Sequence, residues 1–357
     1  MTNSPAGGQD DSAYPFQVVR LPNFLTLCKL IYGADIIHVA GPALPPLLVG
    51  WLMRKPRVIE HHGYQAICPN GLLLELPQVS LCPGHFEAKA YRNCLRCQSV
   101  EMPKVKALLK LILMFPRRFL ARFATAHIAI TDHVLRRHSL PRTERIYYGI
   151  SEPTAEALLN DGAEPLKRFS FAYVGRFVAE KGIPVLLQAA EILKQEGFDF
   201  QVDLIGDGPE RSRIESVISG KRLTDFVHIT GYLTGTSLGE ALKDCRAVVM
   251  PSVWEETAGL SAIEQMMRGR LVIASEIGGL GEVVGDAGLL CVPGDAASLA
   301  SQMRRALSDG MLVRNLGVKA RIRAGRLFRR ERMIRDHAIL YRRLLGVDNH
   351  GLVPLPR

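Results

Sequence analysis

The run RAVVMPS, Arg246–Ser252, is apolar at every position from Ala247 to Met250 and stops at Pro251. A short stretch that is apolar on both faces reads as a parallel strand covered on both sides, and so requires an α/β layered fold. The segment AGLSAIEQMMRG that follows, Ala258–Gly269, reads as a helix closed by Gly269. Glu256 therefore falls in the loop at the carboxyl end of the strand. The free N–H groups of the helix N-terminus fall beside it, at about Gly259 and Leu260, with Ala258 just before them. Such a terminus is a ready site for a phosphate. Glu264 lies about one and a half turns further on and can face the same crevice. The plainer reading is an acid favoured by the helix dipole and a second, solvated glutamate.

The rest of the chain keeps the same strand–helix rhythm. QVVRL, ADIIHVA, PRVIEHHG, AHIAITD and ERIYYGIS read as strands of a first domain, with helices at NFLTLCKLIYG and LPPLLVGWLMRK. A polar, Pro- and Gly-bearing stretch over residues 152–167 reads as a linker. A second series begins at RFSFAYVG. There Gly175 allows a sharp turn at the strand end, and Arg176 and Lys181 can converge on a diphosphate, one as a fork and one as a point charge. Two solvated surface cations are the ordinary alternative. LIGDGPERSRIE carries Gly206 in a strand–turn–helix, and DFVHITGYL carries Gly231 at a strand end.

Three blocks now stand in order: VGRFVAEKG from Val174, IGDGP from Ile205, and Glu256-x7-Glu264 followed by RGRLVIAS and GGLGE. Together they resemble the retaining glycosyltransferases of family GT4. The resemblance implies a GT-B fold, with two Rossmann-like doubly wound α/β domains facing a cleft. It implies a transferase taking a sugar from a nucleotide diphosphate sugar, a UDP- or GDP-sugar, to a glycan or lipid-linked acceptor in surface polysaccharide synthesis. By the same resemblance Arg176 and Lys181 stabilise the departing diphosphate and Glu256 orients the donor sugar. Glu264 meets the ribose, Gly175, Gly206, Gly231, Ala258, Gly259 and Leu260 line the donor site, and His62 approaches the sugar from across the cleft. No cofactor is expected for catalysis. In the family's N-G-I-D segment this chain has Tyr148 for the asparagine and Ser151 for the aspartate.

The expected organisation is a disordered tail over 1–14 and an acceptor-side domain over 15–151. The linker, a donor-side domain over 168–328, and a helix over 329–347 crossing back to the first domain complete it. Only 34 residues precede Asp35, so the resemblance also implies that the N-terminal domain is incomplete by about two strand–helix units, with an open sheet edge. Two rivals follow. A catalytically inactive nucleotide-sugar-binding partner subunit would keep the donor blocks alone. A dinucleotide-dependent oxidoreductase would need G-x-G-x-x-G, and IGDGPE lacks the third glycine.

Residues 64–100 break the rhythm and hold Cys68, Cys82, Cys94 and Cys97, the last two as C-x-x-C. Four thiolates would complete a structural zinc site; free thiols are the equal alternative. The next segment, KVKALLKLILMFPRRFLARF, reads either as a basic amphipathic helix on an anionic membrane surface or as a core helix with a solvated basic face. The net charge of +10 carries no nucleic-acid motif with it, so no nucleic-acid partner is expected. The first residues lack an apolar leader and no window suits a membrane span. The expected location is the cytoplasm, with peripheral contact to the inner face of the plasma membrane.

Overall fold

The computed structural model describes residues 1–2, 10–153 and 169–347 of the chain. It is built on two parallel sheets. The first holds β1 (Ile37–Ala40), β2 (Arg57–His61), β5 (Ala126–Ala129) and β6 (Thr143–Arg145) in the order β1-β2-β5-β6. A small antiparallel pair, β3 (Leu74–Glu75) and β4 (Ser80–Leu81), lies in the insertion after β2, together with the helix Tyr91–Gln98.

The second sheet holds β7 (Phe169–Val174), β8 (Phe200–Ile205), β9 (Val227–Gly231), β10 (Ala247–Met250), β11 (Leu271–Ser275) and β12 (Leu289–Cys291). Their order is β12-β11-β10-β7-β8-β9, all parallel. The chain starts in the middle at β7, builds outward to β9, then returns to build β10 to β12 on the other side. That reversal leaves a crevice beyond the carboxyl ends of β7 and β10, where ligands of doubly wound folds bind. β10 and β11 are buried along their whole length, as their unbroken apolar sequence requires. Two apolar cores cover the two faces of this sheet, one around Phe171, Phe200 and Leu187, the other around Met250, Ile263 and Phe328.

The two domains are joined twice. After β6 the chain runs through Ile150, and after the long helix Gly310–Leu327 it returns through Arg329. At this crossing the two passes bond side by side: Ile150 N–H donates to Phe328 O at 2.9 Å, and Arg330 N–H to Ile150 O at 2.9 Å. The helix Arg330–Leu345 then lies on the first sheet, with Leu340 packed among Val58, Ala126, Ile128 and Ile146.

Several expectations need adjusting. QVVRL is not a sheet strand: Arg20 makes one isolated bridge to Thr2 while its side chain is held by Asp11. The strand read from ERIYYGIS ends at Arg145, and its apolar residues Ile146 and Tyr147 are buried beyond the ladder. Of the expected tail over 1–14, residues 3–9 lie outside the described residues, and Asp11–Ala13 form one 3-10 turn capped by Asp10. Of the expected linker, residues 154–167 likewise lie outside them.

Candidate active site

At the crevice between β7 and β10 a cavity of about 330 Å³ opens. Its walls include Gly175, Arg176, Lys181, Glu256, Ala258, Gly259 and Leu260 from the second domain, and His62 from the first. Eight of the residues singled out in the sequence thus meet in one place. Lys181 reaches it from a 3-10 turn, Ala179–Lys181, and Gly182 directly afterwards takes a left-handed φ of +70°. A Cβ on Gly182 would stand 1.9 Å from Pro251 O, so only glycine lets this turn press against the loop carrying Glu256.

Glu256 is buried, 4 % exposed, and it is held from two sides. Lys181 Nζ donates to Glu256 Oε1 at 2.7 Å and Ser252 Oγ donates to the same oxygen at 2.6 Å. A buried carboxylate needs such partners to offset its desolvation. Arg176 differs: its side chain is 75 % exposed and its ion pair to Glu180 is long at 3.9 Å. Its guanidinium can turn toward an incoming anion at little cost. The helix Leu260–Met267 starts at Gly259, whose φ is +78° and whose side contributes no capping group, so the first N–H groups face the cavity unshielded by a cap.

Three expected donor residues sit elsewhere. Glu264 is exposed and lines a neighbouring cavity of about 480 Å³ with Gly149, Ile150, Ser151 and Arg268. Gly206 underpins the floor of the site rather than its wall: its N–H donates to Gly231 O at 2.9 Å, and a Cβ there would meet Gly175 O at 1.9 Å. Gly231 ends β9 beside it, with φ +82°.

Across the cleft, His62 follows the buried tip of β2. Its Nδ1 is hydrogen-bonded to the Tyr148 hydroxyl, and the two rings stack with centroids 5.2 Å apart. Burial holds the His62 imidazole below its ordinary pKa, with Glu60 pulling the other way. His61 points inward instead, its Nε2 3.0 Å from His127 Nδ1.

Sequence reasoning set Tyr148 aside as a departure from a pattern; the structure puts it in the cavity wall with Tyr173. It also passed over the residues that close the cleft. Glu282 accepts from the N–H groups of Asp132 and His133, each at 2.8 Å, and from Tyr147 Oη at 2.8 Å. A carboxylate at the start of the helix Asp132–His138 thus ties the domains together. Glu255 faces His133 and Arg137, which outweigh its burial and hold its carboxyl below the usual range. Tyr64 Oη donates to Glu255 O at 2.9 Å, Thr131 Oγ1 to Thr257 O at 2.8 Å, and Thr257 Oγ1 to His62 O at 3.2 Å. The only trace of this closure in the sequence is the GGLGE run that carries Glu282.

Cys68, Cys94 and Cys97 are buried and Cys82 partly so, all in the insertion. Cys68 Sγ donates to Asn70 Oδ1 at 2.9 Å, and Leu76 N–H donates to Cys97 Sγ at 3.4 Å. Burial pushes the Cys94 thiol up to about 12. The four thiols are not among the sets of three or more ligand atoms that converge within 4.8 Å among the described residues. Cys68, Cys82 and Cys97 still lie near enough to bear on the Cys94 thiol.

Comparison with known proteins places this geometry. Residues 155–323 match the family model described as "Glycosyl transferases group 1". The 2-deoxystreptamine glucosyltransferase of Streptomyces kanamyceticus is 36% identical over 183 residues, covering 49% of this chain and 46% of that protein. The alpha-D-kanosaminyltransferase of the same organism is 30% identical over 213 residues, 56% of this chain and 55% of that one. The chain thus spans about half the length of these curated relatives. Among solved structures, a sucrose-phosphate synthase from Thermosynechococcus elongatus superimposes with a TM-score of 0.66 at 26% identity, over 94% of this chain and 82% of that one. The Anabaena protein HepE in complex with UDP does so with a TM-score of 0.65 at 16% identity, over 89% and 81%. The fold is GT-B: two Rossmann-like α/β domains facing a cleft.

Proposed function

We propose that this protein transfers a sugar, with retention of configuration, from a nucleotide diphosphate sugar to an acceptor hydroxyl, in the manner of family GT4. The observation that carries the reading is the cavity at the strand-order reversal, where Arg176, Lys181 and the uncapped N–H groups at Gly259 and Leu260 surround the buried Glu256. A diphosphate leaving from this cavity meets two cations and a helix N-terminus, which is electrostatic stabilisation of a developing anion. The bond from the anomeric carbon to the phosphate oxygen breaks, and its electron pair stays on the diphosphate. The acceptor oxygen bonds to the same face of the sugar, and its proton passes to the departing phosphate. Glu256, fixed by Lys181 and Ser252, orients the sugar through its hydroxyls rather than attacking it, and His62 approaches the sugar from the other domain. Neither group needs a metal. Glu264, in the adjoining cavity, accepts from the ribose.

UDP- and GDP-sugars are the expected donors; HepE was solved with UDP. A thermal-shift screen of UDP-, GDP- and ADP-sugars tests this. One nucleotide class should raise Tm selectively, and Glu264→Ala should weaken that shift by about tenfold in Kd, the worth of one hydrogen bond to a charged group. A folded protein indifferent to every donor would overturn the reading. Binding without transfer to any acceptor would instead favour a non-catalytic donor-binding subunit.

The acceptor is proposed to be a glycan or a lipid-linked sugar. The helix Lys104–Arg122 supports a membrane-borne one. Ala107, Leu111 and Met114 face the core, yet Leu108, Leu109, Ile112, Phe115 and Phe119 are exposed on its outer side, beside Lys106 and Lys110. A solvated core helix would carry charge there without the apolar row. Among the described residues no helix is long and apolar enough to cross a membrane. Co-sedimentation with vesicles containing anionic lipid should fall by roughly tenfold or more in Leu109→Asp/Ile112→Asp, since about 1 kcal/mol of surface attraction per basic group cannot hold the helix without its apolar contact. Equal sedimentation of both proteins would remove the membrane from the proposal.

A further inference from the structure

Next to the donor cavity, where Glu60 Oε1 stands 3.9 Å from His62 Nε2, lies a cluster to which the proposed transfer gives no role. His38 on β1, Glu60 on β2 and His337 on the helix Arg330–Leu345 bring one ligand atom each within 4.8 Å of one another. His38 Nε2 lies 3.0 Å from Glu60 Oε2, and His337 Nε2 lies 3.5 Å from the same oxygen. Glu60 is buried, 8 % exposed, while His38 is partly open to a cavity of about 420 Å³ lined by Pro22, Ala43 and Pro45.

We infer that His38, Glu60 and His337 form a binding site for a divalent transition-metal ion of the zinc class. The inference does not rest on the donor assignment, and the ion it describes is a structural one.

The first argument is the second layer of contacts. The far nitrogen of each imidazole is already engaged: His337 Nδ1 donates to Met333 O at 2.8 Å, and His38 Nδ1 is hydrogen-bonded to the Tyr341 hydroxyl. This is how metal-binding histidines are oriented, with one ring nitrogen fixed by an oxygen and the other aimed at the ion.

The second argument is the direction of the lone pair. A carbonyl oxygen only accepts, so Nδ1 of His337 carries a proton, and in the neutral ring Nε2 has a lone pair facing the Glu60 carboxylate. Two lone pairs facing each other in a buried place require a cation between them. Either Nε2 takes a proton or a metal ion sits there. His38 converges on the same oxygen, so two imidazoles and one carboxylate surround one point. Ligands at the roughly 2.0–2.2 Å of zinc bonds stand about 3.3–3.5 Å apart across a tetrahedron, and the two measured separations, 3.0 and 3.5 Å, bracket that spacing.

The third argument is access. Two nitrogens and one carboxylate oxygen suit zinc-class ions better than magnesium or calcium, and they leave a fourth position open. The cavity beside His38 supplies both a route for the ion and room for a water on it. Because His337 belongs to the returning helix, the ion would pin that helix to β1 and β2.

Titration of the full-length, metal-stripped protein with Co²⁺, followed by absorption and calorimetry, tests this. About one equivalent should bind, giving visible ligand-field bands without the intense near-ultraviolet bands of thiolate ligation. Affinity should drop by about 100-fold or more in His337→Gln and in His38→Gln, the upper end of what disturbing a metal shell costs. It should be unchanged in Cys94→Ser/Cys97→Ser. Circular dichroism establishes that each variant is folded. Three results would each overturn the inference. The first is a wild-type protein that takes up no Co²⁺, leaving a proton-held cluster. The second is two histidine variants that bind as tightly as wild type. The third is thiolate bands that appear and vanish with the cysteine variant, placing the ion in the insertion.

Discussion

Lys181→Ala should lower the transfer rate by roughly 10²–10³-fold, the usual loss when one preorganised charge-stabilising donor is removed. It should also destabilise the folded protein by about 3–5 kcal/mol, because it leaves a buried carboxylate without its ion partner. Glu256 would keep only the Ser252 hydroxyl on its Oε1 oxygen. Arg176→Ala should separate the two effects. Its side chain stands largely in solvent, so its loss should cut the rate while leaving the urea midpoint where it was. The double change Lys181→Met/Glu256→Gln should recover much of the lost stability and none of the rate, since the two residues act as one unit. Steady-state kinetics and urea unfolding on the four proteins decide the matter. A Lys181→Ala enzyme with full turnover would remove this lysine from the chemistry, whatever its stability.

Acid should unfold the protein well before its carboxylates are protonated. Under the first sheet His61, His127 and His138 form a buried cluster, with the His61 and His138 rings 4.2 Å apart. Burial lowers all three below the ordinary value of 6.5, and His127 and His138 fall to about 4. The unfolded chain therefore binds more protons than the folded one between those two values. Stability is full above pH 6.5 and drains away as the pH falls through that window, the share of His127 and His138 levelling off near 4. His127 and His138 each contribute about 3 kcal/mol to the loss, at about 1.4 kcal/mol per unit. Urea midpoints measured at pH 7 and pH 4.5 should differ strongly, and His127→Gln/His138→Gln should flatten the dependence. A wild-type midpoint that holds steady over that range would show the three imidazoles titrating alike in the folded and unfolded chain, and would remove the cluster as the cause of acid unfolding.

Much of the fold and of the donor side could be read from the sequence because both are written locally. A strand covered on both faces needs an unbroken apolar run, and β10 has one. The groups at the carboxyl ends of β7 and β10 lie within a few residues of those strands. Gly175, Arg176, Lys181, Glu256 and the turn at Gly259 are therefore legible together from the sequence. Glu264 was drawn toward the same crevice by its spacing alone. Its helix instead presents it to the next cavity, which a count of residues per turn cannot distinguish without knowing how the helix is rotated. The closing contacts were illegible for a different reason. Glu282 meets Asp132 and His133 from 149 or more residues away, and Tyr148 meets His62 from the opposite end of the first domain. No local period or composition encodes such meetings; they arise only when two sheets are brought face to face. The cysteine insertion is an intermediate case: its four thiols lie near one another, but no three of them come within 4.8 Å.

The returning helix Arg330–Leu345 gives the chain an unusual order of birth. Domains tend to fold as they leave the ribosome, the earlier ones first. Here β1, β2, β5 and β6 emerge early, but Val58, Ala126 and Ile128 share an apolar cluster with Leu340, edged by Met333, Tyr341 and Leu344, all of which follow the whole second sheet in the chain. The second domain has all of its own strands before that helix exists. The half that is begun first must wait, partly bare, for the other to finish.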